Sequence, residues 1–108
     1  MQEHNFLVTY SVKGKTPRQI DQDKAADVRN ALNNLKITNW TKLKDVETVF
    51  SGILSLNFST IQSRRNQALR HVSDVFNNVI KQEKASSHVN IYGVFLVDKL
   101  GEEISFTV

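Results

Sequence analysis

Apolar residues in this chain recur at two spacings that take turns along its length, and nothing else in the sequence limits the fold as sharply. Phe6, Val8, Tyr10 and Val12 alternate with Leu7, Thr9 and Ser11. Successive side chains of a strand point to opposite faces, so this period of two predicts a strand over 6–12. Lys13-Gly14-Lys15 then interrupts it. Thr16, Pro17 and Gln19 have the chemistry of a helix start: a hydroxyl for a free N–H, a proline for the first turn and an amide that reaches back. Asp21 and Asp23 offer a competing start a few residues later. Ala25, Val28, Ala31, Leu32 and Leu35 fall on one helical face, which predicts a helix ending near 34–36.

The second half repeats the scheme. Ile37 to Leu43 is rich in β-branched and aromatic residues and predicts a strand, with a reversal at Lys44-Asp45. Glu47 to Phe58 predicts a longer one, because Phe50, Leu54, Leu56 and Phe58 share one parity while Ser51, Ser55 and Asn57 share the other. Ser59 and Gln62 have the spacing of a capping box. The apolar stripe of Ile61, Ala68, Leu69, Val72, Phe76, Val79 and Ile80 follows and predicts the longer helix. Val89 to Asp98 is almost continuously apolar from Val94 to Val97, the pattern of a central strand buried on both faces. Leu100-Gly101 supplies a turn, and Ile104, Phe106 and Val108 alternate in a last strand.

The order is β-α-β-β-α-β with an extra C-terminal strand, the ferredoxin-like arrangement. An α+β domain follows, with two helices on one face of a mostly antiparallel sheet and the other face open. The 108 residues contain one Pro and four Gly, and no repeat or linker, so a single domain over 1–108 is expected. An apolar fraction of 40% is enough for a packed core and too high for a disordered chain.

The opening strand Phe6-Leu7-Val8-Thr9-Tyr10-Ser11-Val12 and the late strand Asn90-Ile91-Tyr92-Gly93-Val94-Phe95 carry a resemblance. In length and element order the chain resembles the family of the small CRISPR-associated adaptation protein and the endoribonuclease antitoxins. That resemblance implies a ferredoxin-like fold whose added C-terminal strand takes part in dimer contacts. It also implies a departure. Metal-dependent members place an Asp at the end of the first strand, whereas this chain has Tyr10-Ser11-Val12-Lys13 there. A hard divalent cation wants carboxylate oxygens, so metal-dependent nuclease chemistry is not expected.

The absence of cysteine excludes disulfides, thiolate metal sites and cysteine nucleophiles. No metal-ligand spacing, phosphate-binding glycine loop or nucleophile elbow occurs, so no metal, cofactor or catalytic set is expected. The start of the chain lacks a signal-peptide pattern and no apolar run is long enough to span a bilayer. A soluble, cytoplasmic protein without membrane attachment is the expectation.

The net charge of +3 is a small basic excess. Arg64 and Arg65 stand in the first turns of the second helix, where guanidinium groups and free N–H groups suit phosphate. Arg65 also falls in the apolar stripe, where its ordinary role is to reach out of the core along its aliphatic stem. His71 beside Asp74, with Lys13 and Lys15 on the first loop, completes a nucleic-acid or anion reading, extending to a metal-independent ribonuclease with His71 as base. Tyr10, Trp40 and Tyr92 are amphipathic aromatics suited to stacking bases or anchoring a protein interface, with core or dimer packing as their ordinary role, and Ile104 and Phe106 lie on a last strand that can pair within its chain or with another. The expected function is a non-enzymatic interaction module that forms a homodimer, with RNA or DNA binding as the alternative.

Overall fold

The structure, a computed structural model, describes residues 2–108. β1 (Gln2–Gly14), α1 (Gln19–Asn33), β2 (Trp40–Lys42), β3 (Val49–Leu56), α2 (Ile61–Gln82), β4 (Val89–Val97) and β5 (Ile104–Thr107) follow in chain order. The strands form one sheet in the order β2-β3-β1-β4-β5, and every neighbouring pair is antiparallel.

The alternation in β1 is the period-two pattern made physical. His4, Phe6, Val8, Tyr10 and Val12 are buried, whereas Glu3, Asn5, Leu7, Thr9, Ser11 and Lys13 are exposed or nearly so. Ala25, Val28 and Leu32 of α1 and Ala68, Val72, Phe76, Val79 and Ile80 of α2 close over the buried parity. Both helices therefore lie on one side of the sheet. Phe76 is the hub, its ring centroid 5.1 Å from Tyr10, 6.2 Å from Phe50 and 5.2 Å from Phe106.

Several elements differ from the sequence reading. β1 runs beyond 6–12 at both ends because β3 and β4 hydrogen-bond it along both edges. β2 keeps only three residues, and the chain before it turns through Asn39 at φ 68°. β3 stops at Leu56, leaving Phe58 47% exposed. The capping box of α2 joins Thr60 and Ser63, one residue after the expected pair; Ser63 reaches its own cap because a short hydroxyl suffices at that distance. Ile61, the first residue of α2, stands outside the stripe at 60% exposure. α1 begins at Gln19 with Arg18 as N-cap and no side-chain cap; Thr16 instead accepts from the Arg18 N–H and donates to Asp21.

β4 gives the largest correction. It lies between β1 and β5, yet it is buried on one face only. Val89, Ile91, Phe95 and Val97 point into the core, and Tyr92, Val94 and Leu96 point out at 46%, 39% and 50% exposure. Two helices suffice to cover one face, and among the described residues no third layer covers the other. Trp40, Ile104 and Phe106 point to the covered side. Trp40 packs on Phe6 and Phe50 at 4.8 and 5.6 Å, and Phe106 fills the space over Gly93, its cross-strand partner.

That last fit explains the glycine. A Cβ on Gly93 would stand 2.2 Å from the Phe106 ring. Gly93→Ala is expected to lower stability by roughly 1–3 kcal/mol, the usual cost of overpacking a core. Pairing it with Phe106→Leu should return part of the loss; urea unfolding of both variants measures this, and equal stability of Gly93→Ala and wild type would refute the fit.

Burial also marks Tyr10, whose hydroxyl is pushed up to about 12 from the ordinary 10.0 by desolvation. The folded state thus holds this proton more tightly than the unfolded one. Its contribution to stability is intact below pH 10 and is lost as pH rises toward about 12. In Tyr92→Phe protein, phenolate absorbance should rise only as that higher value is approached or the chain unfolds. A transition centred at the ordinary tyrosine value with the fold intact contradicts the burial argument.

Candidate interaction surface

The open face of the sheet is built by the strand parity that no helix covers. Register places Leu7 beside Leu96, Thr9 beside Val94, Ser11 beside Tyr92 and Asn5 beside Ile53. Leu7, Ile53, Tyr92, Val94 and Leu96 are all more than one-third exposed, so they form an apolar stripe across three adjacent strands. Contiguous apolar surface of this kind marks interaction sites far more than scattered single residues do. Thr41, Ser51, Ser55, Ser105 and Thr107 rim it with small neutral side chains. Two shallow hollows lie on this face. One, of about 370 Å³, is lined by Thr9, Ser11, Tyr92, Val94, Ser105 and Thr107 among others; the second, of about 440 Å³, includes Asn5, Leu7, Leu96 and Asp98.

Of the residues expected at an interface, Tyr92 stands on this face, with Lys13 Nζ 5.8 Å from its ring centroid. Trp40, Ile104 and Phe106 stand on the other side of the sheet in or against the core. β5 pairs with β4 of its own chain, Tyr92 to Thr107 through Phe95 to Ile104.

The basic residues are dispersed. Arg64 contacts Gln2 and the Phe58 carbonyl at 2.6 Å each, at the start of β1. Lys13 and Lys15 lie at the other end of β1, roughly 36 Å away at about 3.3 Å per strand residue. Arg65 donates to the carbonyls of Leu100 and Glu102 at 2.7 and 2.6 Å, and so clamps the β4–β5 connection onto α2. Lys15, Lys24, Arg29 and Lys42 likewise donate to backbone carbonyls. These cations satisfy backbone carbonyls instead of converging on one cleft. His71 is exposed on α2, beside a small hollow shared with Phe58 and Arg70.

One polar cluster escaped sequence reasoning. Asp21, 5% exposed, accepts from the Thr16 hydroxyl at 2.6 Å and from His88 Nδ1 at 2.7 Å. Because a carboxylate only accepts, His88 carries its proton on Nδ1. The bond to Thr16, then the bond to His88, holds the Asp21 carboxyl below the ordinary carboxylate value against the opposing effect of burial. The pair ties the start of α1 to the start of β4. Sixty-seven positions separate its members, so no local spacing could signal it. A second imidazole, His4, is buried; it donates from Nδ1 to the Asp98 carbonyl at 2.9 Å and leaves Nε2 without a partner. Among the described residues no three metal-ligating side chains cluster, and no helix is long and apolar enough to cross a membrane.

No family model, no curated protein and no solved structure matches this chain.

Asp21 has the signature of a structural tie. A folded-state pKa below 3.8 means that its contribution is present above that value and is lost as pH falls through the lower one. Asp21→Asn should lower the thermal midpoint at neutral pH, and the gap to wild type should narrow as the solution is acidified below about pH 4. A gap that stays constant into strong acid would remove the ionised carboxylate from the explanation.

Proposed function

We propose that this protein is a ferredoxin-like interaction module that works by binding, without catalysis, and that its open sheet face takes a second copy of the same chain. The observation that carries this reading is the stripe of Leu7, Ile53, Tyr92, Val94 and Leu96 on a face with no covering layer. The strand order β2-β3-β1-β4-β5 supports the ferredoxin-like assignment, with β5 added outside β4.

Three features favour a second copy. The edges of the sheet are short, three residues in β2 and four in β5, which leaves little for strand addition. The open face is apolar at its centre, carries small neutral side chains along its flanks and has charge of both signs only toward its ends, and such a surface is complementary to itself. Its area is adequate. With about 4.8 Å between strands and about 3.3 Å per residue, the strands project roughly 600 Å². Two such faces together approach the lower limit of about 1,200 Å² for stable association. Tyr92 is suited to anchor the contact, being large, stiff and polar at one end.

Sedimentation equilibrium should find dimers at micromolar concentration. Leu96→Lys should weaken them by about thirtyfold or more, the effect of losing one central apolar anchor. It should leave urea unfolding of the monomer nearly unchanged, since Leu96 is half exposed. A wild-type chain that remains monomeric at high micromolar concentration would sink the proposal.

A further inference from the structure

Charge on the open face is sparse and placed at its two ends. Among the strand positions that share this face, only Glu3 and Lys13 are ionised, and they stand near opposite ends of β1, the middle strand; past the strands, Asp98 and Lys99 of the turn after β4 add one charge of each sign at the Glu3 end. Among the described residues neither lies within ion-pair distance of an opposite charge; the carboxylates with a basic side chain that close are Asp98, beside His4, and Asp21, beside His88. The midpoint between Glu3 and Lys13 falls at Val8, level with the boundary between the two hollows.

We infer that two copies stack open face to open face about a two-fold axis that crosses β1 near Val8, so that the two β1 strands run antiparallel and Glu3 of each copy meets Lys13 of the other. This inference rests on the self-association proposed above and goes on to specify its register. Two stacked identical faces are related by a two-fold axis lying between them. An axis along β1 would set Glu3 over Glu3 and Lys13 over Lys13, two like-charge contacts. An axis across β1 replaces both with opposite-charge contacts. Aligned sheets sit about 10 Å apart with their strands within about 30°, a gap that long Glu and Lys side chains can close from both sides.

Surface relief points to the same register independently of charge. With the axis at Val8, β4 faces β4, and the level of Leu7 and Leu96 faces the level of Thr9 and Val94. Leu96, the most exposed apolar side chain of β4, then enters the hollow of about 370 Å³ lined by Thr9, Tyr92 and Val94 of the partner. The contact occurs twice by symmetry. Parallel stacking would instead set β4 over β3, with Leu96 over Ser51 and away from the hollow.

The test uses charge reversal and spin labels on the full chain. Glu3→Lys and Lys13→Glu should each weaken the dimer by about tenfold, since each reversal spoils two symmetry-related exposed pairs. The double reversal should recover most of that affinity, as expected for residues that touch. The chain has no cysteine, so labels on Asn5→Cys and Ser11→Cys are unique. In mixed dimers the label on position 5 of one copy should lie nearer to position 11 of the other than to a second position 5. If wild type dimerises but single reversals change nothing, or labels on two copies at position 5 are the closest pair, the register is overturned while self-association stands. A monomeric wild type overturns both.

Discussion

β1 is hydrogen-bonded along both edges, to β3 from Gln2 to Thr9 and to β4 from Phe6 to Gly14. The fold hangs on this double pairing. It fixes the register of three strands at once, and register decides which side chains enter the core. A one-residue slip would send Phe6, Val8, Tyr10 and Val12 to the open face and Leu7, Thr9 and Ser11 beneath the helices. The cluster around Phe76 would lose its floor.

The same pairing settles what is left uncovered. A sheet of five strands has two faces, and this chain has two helices to cover them. Both helices pack on one side because α1 and α2 each present a single apolar stripe and their connections are short. The outward parity of β1, β3 and β4 then has no layer above it. Leu7, Val94 and Leu96 are accordingly consequences of the topology as much as of their own chemistry. An apolar row in this position is costly to leave in water, at roughly 25 cal/mol per Å².

Polar chemistry has a quieter role. Buried or half-buried polar groups tie the layers together: Asp21 with Thr16 and His88, His4 with the Asp98 carbonyl, and Arg65 with the carbonyls of Leu100 and Glu102. Arg29 reaches the Val12 carbonyl in the same manner. Each bond joins elements distant in sequence. Guanidinium groups near the start of α2 read from sequence as an anion site, and in the fold they are clasps on loops whose carbonyls lack strand partners.

Local spacing alone determined the element order, the inward parity of β1, the apolar stripes of both helices and the coverage of a single sheet face. These follow from periods of two and 3.6, which the backbone imposes wherever it folds. Tertiary structure alone decided the rest. Val94 to Val97 read as buried on both sides because continuous apolarity has no direction of its own; only the number of layers shows that half of it faces outward. Trp40, Ile104 and Phe106 read as candidates for an interface as well as for the core because an aromatic or branched side chain suits both equally, and strand parity places them inside. Asp21 and His88 could be joined by no local rule, since their meeting depends on α1 and β4 lying side by side. Periodicity is a property of a segment, whereas exposure and long-range pairing belong to the assembled sheet.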